Sequence, residues 1–117
     1  MVLLHITHPQ AFAADWQVYA PESLEREGFI HCSTMEQVLD TANRFYPSDP
    51  DLLVLVIDPN RLAAELRWEN LEGGQTLFPH IYGALNREAV LKIVRLVPGP
   101  DGCFEQLPAG LQDYTHG

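Results

Sequence analysis

The sequence predicts an α+β protein with a mixed, largely antiparallel sheet and with its helices mostly in the N-terminal half. An unbroken apolar run, Leu52 to Ile57, has the length and composition of a central strand that is covered on both faces. The clearest helical periodicity, over residues 34–46, lies in the first half of the chain, and mostly strand-like segments follow it. The regular βαβα alternation of a doubly wound fold is absent.

The first strand is predicted over residues 2–7. It ends before Pro9, because the residue that precedes a proline is disfavoured in helical geometry. The next three predicted elements are short: a helix over 9–16, a helix over 21–28 that ends at Gly28, and a buried strand over 29–32.

Ser33 is predicted to cap the most regular helix of the chain. It stands three residues before Glu36, which is the spacing of a capping box. The apolar positions that follow recur at helical spacing over residues 34–46: Met35, Val38, Leu39, Ala42 and Phe45. We therefore expect Ser33 and Glu36 to satisfy the first amide groups of this helix.

The C-terminal half is predicted to be mostly strands, over residues 52–57, 65–69, 89–97 and 103–107. Because proline cannot donate to a strand ladder, the segment Phe78-Pro79 is predicted to be an edge or a loop. One domain over residues 1–108 is expected, followed by a loose tail over 109–117.

Composition and charge narrow the classes of function. The chain has 117 residues, 46% of them hydrophobic, and a formal net charge of −9, which fits a single globular domain. The acidic excess argues against electrostatic capture of nucleic acid, and no apolar run is long enough for a membrane span. No secretory signal is evident, and the two cysteines lack pair spacing, so we expect a cytoplasmic protein with a small-molecule ligand.

Three histidines interrupt apolar segments: His5, His31 and His80. Each is followed two positions later by a hydroxyl residue, respectively Thr7, Ser33 and Tyr82. In a strand, residues two apart share a face, so each imidazole lies beside a hydroxyl group. One interpretation is a shared ligand-binding cleft, and the other is three separate core histidines that each have a satisfied hydrogen bond.

Other reactive residues have simpler interpretations. Cys32 alternates to the face opposite His31, which favours a buried structural cysteine, and Cys103 is also predicted to be buried and unpaired. No metal-ligand spacing is present, so no metal is expected. A metal-dependent hydrolase built on the three histidines remains the third alternative. Glu69 ends a strand and matters only if that strand end opens onto the histidine cleft.

Several blocks of the sequence resemble the small bacterial family called domain of unknown function 952. The resemblance covers nearly the whole chain and is carried by His5-Ile6-Thr7, Ser23-Leu24, Glu27 to Ser33, Gln37, Leu52 to Asp58, Phe78 to Gly83, Leu85-Asn86 and Ala89-Val90. The blocks around His31 and His80 are its most specific parts.

That family is similar to the ADP-ribosyltransferase-like fold, which implies a split sheet and a cleft for NAD. The resemblance implies that His5 and Thr7 bind the NAD ribose, and that His31 and Ser33 match half of a later-strand motif whose first histidine is replaced by Phe29.

The same resemblance implies ligand-binding roles for His80 and Tyr82, with the Tyr82 ring packed on nicotinamide, and catalytic roles for His31 and Glu69. The expected function is a cleft for an NAD- or ADP-ribose-type nucleotide, with ADP-ribosyl transfer as its activity and NAD as its substrate. The alternative is a non-catalytic module that binds a small metabolite.

Overall fold

The computed structural model describes residues 1–11, 16–70, 73–112 and 114. Within them the chain forms eight strands: β1 (Leu3–Thr7), β2 (Val18–Tyr19), β3 (Ile30–His31), β4 (Leu52–Ile57), β5 (Glu65–Glu69), β6 (Phe78–Tyr82), β7 (Leu85–Asn86) and β8 (Val90–Leu96). The α-helices of these residues are α1 (Glu22–Glu27), α2 (Val38–Phe45) and α3 (Ala109–Gln112), and 3₁₀ turns occupy Pro9–Ala11, Pro59–Arg61 and Arg87–Ala89. The described strand pairs are antiparallel, which confirms the α+β class.

The strands form two three-stranded sheets and one short pair. The first sheet has the order β1-β4-β8, the second has the order β3-β6-β5, and β2 pairs with β7. The chain passes from the second sheet to the first just after β3, where Leu4 and Ser33 exchange backbone hydrogen bonds of 2.8 and 2.7 Å. This crossing places the start of the chain against the segment that contains His31.

Two hydrophobic cores lie on opposite faces of the central strand β4, as its apolar run predicts. Leu55 and Ile57 belong to the first core, which joins the sheets through Leu3, Ile30, Ile81 and Leu85. Leu52, Val54 and Val56 belong to the second core, which packs the first sheet against Val38, Ala42, Phe104 and Leu111. None of the helices in the described part of the chain is long and apolar enough to cross a membrane.

Helix α1 confirms the short helix predicted before Gly28. Gly28 has a left-handed φ of 87°, and its N–H donates to the Leu24 carbonyl at 2.9 Å. A left-handed residue at this position is a common helix terminator, and glycine adopts it without a steric penalty. The turn directs the chain back into β3.

The prediction that Ser33 caps a helix over 34–46 is wrong. Helix α2 begins at Val38 after a turn, and the Ser33 hydroxyl instead donates to the Thr41 hydroxyl at 3.2 Å. One of the two hydrogen bonds of a capping box does form, but between residues one position later than the predicted pair Ser33 and Glu36. The Thr34 N–H donates to the Gln37 side-chain oxygen at 3.0 Å. The Ser33 carbonyl accepts from the Leu4 N–H, so it does not accept the first intrahelical hydrogen bond, which is the part that the carbonyl of an N-cap residue plays.

Pro79 does not lie at an edge or in a loop, contrary to the sequence prediction, because β6 is the central strand of the second sheet. Its carbonyl accepts from the Cys32 N–H at 3.0 Å. In an antiparallel ladder the N–H and C=O of one residue face the same neighbour, so the missing N–H of Pro79 faces β3. The sheet tolerates this proline because β3 ends there, at His31.

The strand predicted over residues 103–107 does not form. The buried Phe104 instead exchanges two hydrogen bonds with the Asn43 side amide of α2, at 2.7 and 2.9 Å, which satisfies its backbone without a strand partner. Cys103, predicted to be buried, is exposed and free. The segment predicted as a loose tail contains α3, in which Leu111 is buried. Residues 113 and 115–117 of that segment lie outside the described residues. Residues 12–15 of the helix predicted over 9–16 also lie outside them.

Candidate functional site

The second sheet has one apolar face and one face that carries polar and aromatic groups. Ile30 and Ile81 point into the first core. His31 pairs with His80 across β3 and β6, and His80 pairs with Arg67 across β6 and β5. Since directly opposed residues share a face, these three side chains lie on the outer face of the sheet.

Four ring side chains meet on this outer face, and we call Phe29, His31, His80 and Tyr82 the ring cluster. The Phe29 ring centroid lies 4.8 Å from that of His31, 4.4 Å from that of His80 and 5.3 Å from that of Tyr82. The His31 and His80 centroids are 5.5 Å apart with nearly perpendicular planes. Phe29 and His80 are buried and form the floor, whereas the His31 side chain is 55% exposed.

A carboxylate joins two members of the ring cluster. The Glu69 Oε1 atom accepts from the Tyr82 hydroxyl at 2.6 Å and from the His80 Nδ1–H at 3.0 Å. The hydrogen bond from Tyr82 and then that from His80 hold the pKa of Glu69 below its ordinary value. The same bond to Glu69 raises the pKa of Tyr82, so Glu69 is the ionised partner and Tyr82 the proton donor.

Two further charged groups border the cluster. The His31 Nε2–H donates to the Glu27 carboxylate, which lies at the last residue of α1. The Arg67 guanidinium carbon lies 4.2 Å from the centroid of the Tyr82 ring, and its Nη2 atom is 2.8 Å from Glu65. The outer face therefore presents two carboxylate–histidine pairs and a cation that rests on an aromatic ring.

His5 and Thr7 lie beneath this face, in a buried chain of hydrogen bonds. The His5 Nδ1 atom is 2.6 Å from the His31 carbonyl oxygen, and its Nε2 atom is 2.9 Å from the Tyr19 hydroxyl. The Thr7 hydroxyl is 3.0 Å from the Tyr19 hydroxyl. Burial lowers the pKa of His5 to about 4, so the ring is neutral at pH 7.

The neutral ring fixes the direction of each bond in this network. A carbonyl only accepts, so His5 carries its proton on Nδ1 and donates to His31. Its Nε2 then accepts from the Tyr19 O–H, and the Thr7 O–H donates to the Tyr19 oxygen. Both ring nitrogens of His5 are thus engaged by the protein.

The structure divides the predicted site residues into groups. His31, His80, Tyr82 and Glu69 come together on the outer face, whereas His5 and Thr7 form the buried network that meets His31 at its carbonyl. Ser33 is buried and bonds with Thr41. Cys32 lies in the first core, on the face opposite His31, and its burial raises the pKa of its thiol. In residues 1–11, 16–70, 73–112 and 114, no group of three or more His, Cys, Asp or Glu side chains is arranged to hold a metal ion.

Four residues of this region escaped the sequence analysis as site residues. The sequence could have identified Arg67 as a site residue, since strand alternation places it on the same face as Glu69. Phe29 could also have been identified, because it lies two residues before His31 in the same extended segment. No sequence pattern identifies Glu27 or Tyr19. Glu27 reaches His31 only through the Gly28 turn, and Tyr19 reaches His5 only through the tertiary fold.

Fold and site together define a small α+β protein with split antiparallel sheets and a His–Tyr–Glu cluster on one sheet face. The family described as "Protein of unknown function (DUF952)" matches residues 6–93. The chain belongs to this family, as the sequence resemblance indicates.

Solved structures of one relative are similar over nearly the whole chain. The crystal structure of protein CC0527 from Caulobacter crescentus has a TM-score of 0.79 and 26% sequence identity, and the match covers 97% of each chain. Its solution NMR structure gives a TM-score of 0.75 and 26% identity, over 97% of this chain and 95% of that one. The search of curated proteins finds no match. These likenesses support the fold, and the function has to be argued from the site.

Proposed function

We propose that the ring cluster, with Glu69, binds a nucleotide of the NAD or ADP-ribose class. The observation that carries the proposal is the convergence of four ring side chains and one ionised carboxylate on a single sheet face. Aromatic surfaces pack well against a flat nitrogenous ring, and a carboxylate favours a ring that carries positive charge. The resemblance of the family to the ADP-ribosyltransferase-like fold supports the same class of ligand.

In this proposal the nicotinamide half of the nucleotide occupies the ring cluster. The nicotinamide ring of NAD is a cation, and the site offers it the exposed side chain of His31, the ring of Tyr82 and the negative charge of Glu69. The net charge of −9 also favours a cationic group over an anionic one. Adenine, which is neutral, gains only the packing contribution.

Arg67 is the group that we assign to the nucleotide phosphates. Its guanidinium already lies over Tyr82 and is held by Glu65 through an exposed ion pair, which contributes little to stability. Exchange of Glu65 for the diphosphate, whose two phosphates together carry two negative charges, gives Arg67 a bidentate partner of higher total charge. This contact with Arg67 offsets part of the electrostatic repulsion between the phosphates and a protein with a net charge of −9.

His5 and Thr7 support the site from below in this proposal and do not contact the ribose. Both ring nitrogens of His5 are hydrogen bonded inside the protein, and breaking either bond leaves a buried polar group without a partner. Ser33 also supports the site without contacting the ligand in this proposal. It lies where the chain passes between the two sheets, with its backbone paired with Leu4 and its hydroxyl bonded to Thr41.

Calorimetric titration with NAD, ADP-ribose and nicotinamide riboside tests the proposal. We expect NAD to bind, Tyr82→Leu, which removes the aromatic ring, to weaken binding of NAD and nicotinamide riboside, and Arg67→Gln to weaken NAD and ADP-ribose by about tenfold, or 1.4 kcal/mol. Tyr46→Leu and Arg95→Gln are matched controls, because both residues lie away from the ring cluster. Absence of binding at millimolar NAD, or equal losses in the controls, contradicts the proposal.

A further inference from the structure

We propose that His80 selects the ring of the bound nucleotide, because its Nε2 atom accepts a hydrogen bond from an uncharged N–H donor such as the carboxamide group of nicotinamide. The inference deepens the proposed function and rests on it. It adds the specificity-determining residue and the chemical class of the ligand ring, which is a planar nitrogenous ring with an exocyclic amide and without a carboxylate.

The position of the proton on His80 follows from its contact with Glu69. Hydrogen bonds from Tyr82 and then from His80 lower the pKa of Glu69, so this carboxylate is ionised. An ionised carboxylate only accepts hydrogen bonds, so the Nδ1 atom of His80, at 3.0 Å, carries the proton. In the neutral imidazole the Nε2 atom then presents a lone pair, and a ligand group that bonds to it must be a donor.

The Nε2 atom of His80 has no hydrogen-bond partner in the part of the chain that the structure describes, although the side chain is only 6% exposed. In residues 1–11, 16–70, 73–112 and 114, no fully buried side-chain nitrogen or oxygen lacks a partner. The Nε2 atom is therefore open to solvent. The small exposed part of the ring includes its free acceptor, and a ligand that covers this acceptor has to supply a donor in return.

Burial decides which histidine of the ring cluster carries the selectivity. The His31 Nε2–H donates to Glu27, so the Nδ1 atom of His31 is a second acceptor on the same face. The His31 side chain is 55% exposed, and water remains available to an exposed acceptor. At His80 the ligand displaces the solvent. A ligand without a donor leaves this acceptor buried and unpaired, which weakens binding by about 10–100-fold.

The charges around His80 add selection against an anionic ring. A carboxylate in place of the carboxamide brings only acceptors to Nε2, and it brings a negative charge close to the ionised Glu69. Arg67 lies opposite His80 in the strand ladder, but in the proposed function it binds the phosphates and does not neutralise this carboxylate. An unpaired charge that the wrong ligand has to bury is a common source of specificity.

The ring of His80 is held in one orientation by its neighbours. The centroid of the Phe29 ring lies 4.4 Å from that of His80 with a tilt of 33° between the planes, and the His31 ring stands nearly perpendicular at 5.5 Å. Glu69 holds the Nδ1 edge. An acceptor that is fixed in this way cannot turn towards another partner, so it discriminates between ligands that offer a donor and ligands that do not.

Calorimetric titration at pH 8 compares three dinucleotides that differ only in the group on the pyridine ring. NAD has a carboxamide, the 3-acetylpyridine analogue has a methyl group in place of the amide nitrogen, and the nicotinic acid analogue has a carboxylate. An ordinary imidazole is neutral at this pH. We expect the uncharged 3-acetylpyridine analogue to bind about 10–100-fold more weakly than NAD, and the nicotinic acid analogue to bind more weakly still.

His80→Asn is the diagnostic variant, because the asparagine amide nitrogen takes the place of Nδ1 beside Glu69 while the Nε2 acceptor is lost. We expect this variant to bind NAD and the 3-acetylpyridine analogue with affinities within about twofold of each other. Glu69→Gln should narrow the difference between NAD and the nicotinic acid analogue, because it removes the negative charge. His8→Gln, at a histidine paired with Asp49 elsewhere in the fold, should keep the wild-type selectivity.

The ¹⁵N resonance of His80 Nε2 in the wild-type protein gives a measurement that does not depend on the folding of a variant. It should have the chemical shift of an unprotonated ring nitrogen, and it should move further with NAD than with the 3-acetylpyridine analogue.

The outcomes separate this inference from the proposed function. Equal affinity of the wild-type protein for NAD and the 3-acetylpyridine analogue overturns the inference and leaves the binding proposal intact. Tighter binding of the nicotinic acid analogue, a protonated Nε2 at pH 8, or full selectivity in His80→Asn also overturns it. If NAD does not bind at millimolar concentration, the proposed function fails, and this inference fails with it.

Discussion

Acidification is expected to destabilise the fold through His5. Burial lowers its pKa to about 4 in the folded chain, against 6.5 for an exposed imidazole. Between these values the unfolded chain binds a proton that the folded chain does not, so the free energy of unfolding falls as the pH falls. The His5 contribution is complete above pH 6.5 and fully lost below pH 4, and the loss from pH 7 to pH 5 is about 2 kcal/mol.

Urea denaturation of wild-type protein and of His5→Gln at several pH values between 5 and 7 measures this contribution. Asp49 and Glu69 have lowered pKa values, so their own contributions are lost below this window. The stability of wild type should therefore fall by about 2 kcal/mol more than that of the variant between pH 7 and pH 5. Parallel curves for the two proteins, or a His5 ring that titrates near 6.5 in the folded state by NMR, would refute this account of the buried network.

Three further perturbations test other parts of the structure. Gln37→Ala removes hydrogen bonds of 3.0 and 2.7 Å at the start of α2 and should cost about 1–2 kcal/mol by thermal unfolding, whereas Glu36→Ala should change stability by about 0.5 kcal/mol or less. Gly102→Ala should lower the free energy of unfolding in urea by about 1–3 kcal/mol, because Gly102 has a φ of +85° and the new Cβ would lie 2.3 Å from Ser48 Oγ. Tyr82→Phe should raise the pKa of Glu69 towards its ordinary value in an NMR titration, and an unchanged value would contradict the assigned hydrogen bond.

The sequence is most informative where burial follows a simple period. The bounds predicted for β4 and β5 agree with the structure, since an unbroken apolar run and a strict alternation are local properties of the chain. Alternation along β6 also predicts that His80 and Tyr82 share a face. These parts needed no knowledge of the tertiary fold.

The remaining features depend on partners that are distant in sequence. Pro79 is acceptable in a central strand only because the neighbouring β3 ends beside it. Phe104 needs no strand partner because Asn43, which is far away in the chain, satisfies its backbone. The Glu69 carboxylate reaches His80 through the register of β5 against β6, which no short-range pattern reveals.

A chemical-shift map of the ¹⁵N-labelled protein titrated with NAD is the most direct test of the proposed binding site. The account predicts that the shifted amides concentrate on β3 and β6, around His31, His80 and Tyr82, and that they extend to Arg67 on β5. It also predicts that nicotinamide riboside reproduces the changes on β3 and β6 but not those at Arg67. Amides that shift elsewhere, around α2 or β8 with the ring cluster unaffected, or a spectrum unchanged at millimolar NAD, would contradict it.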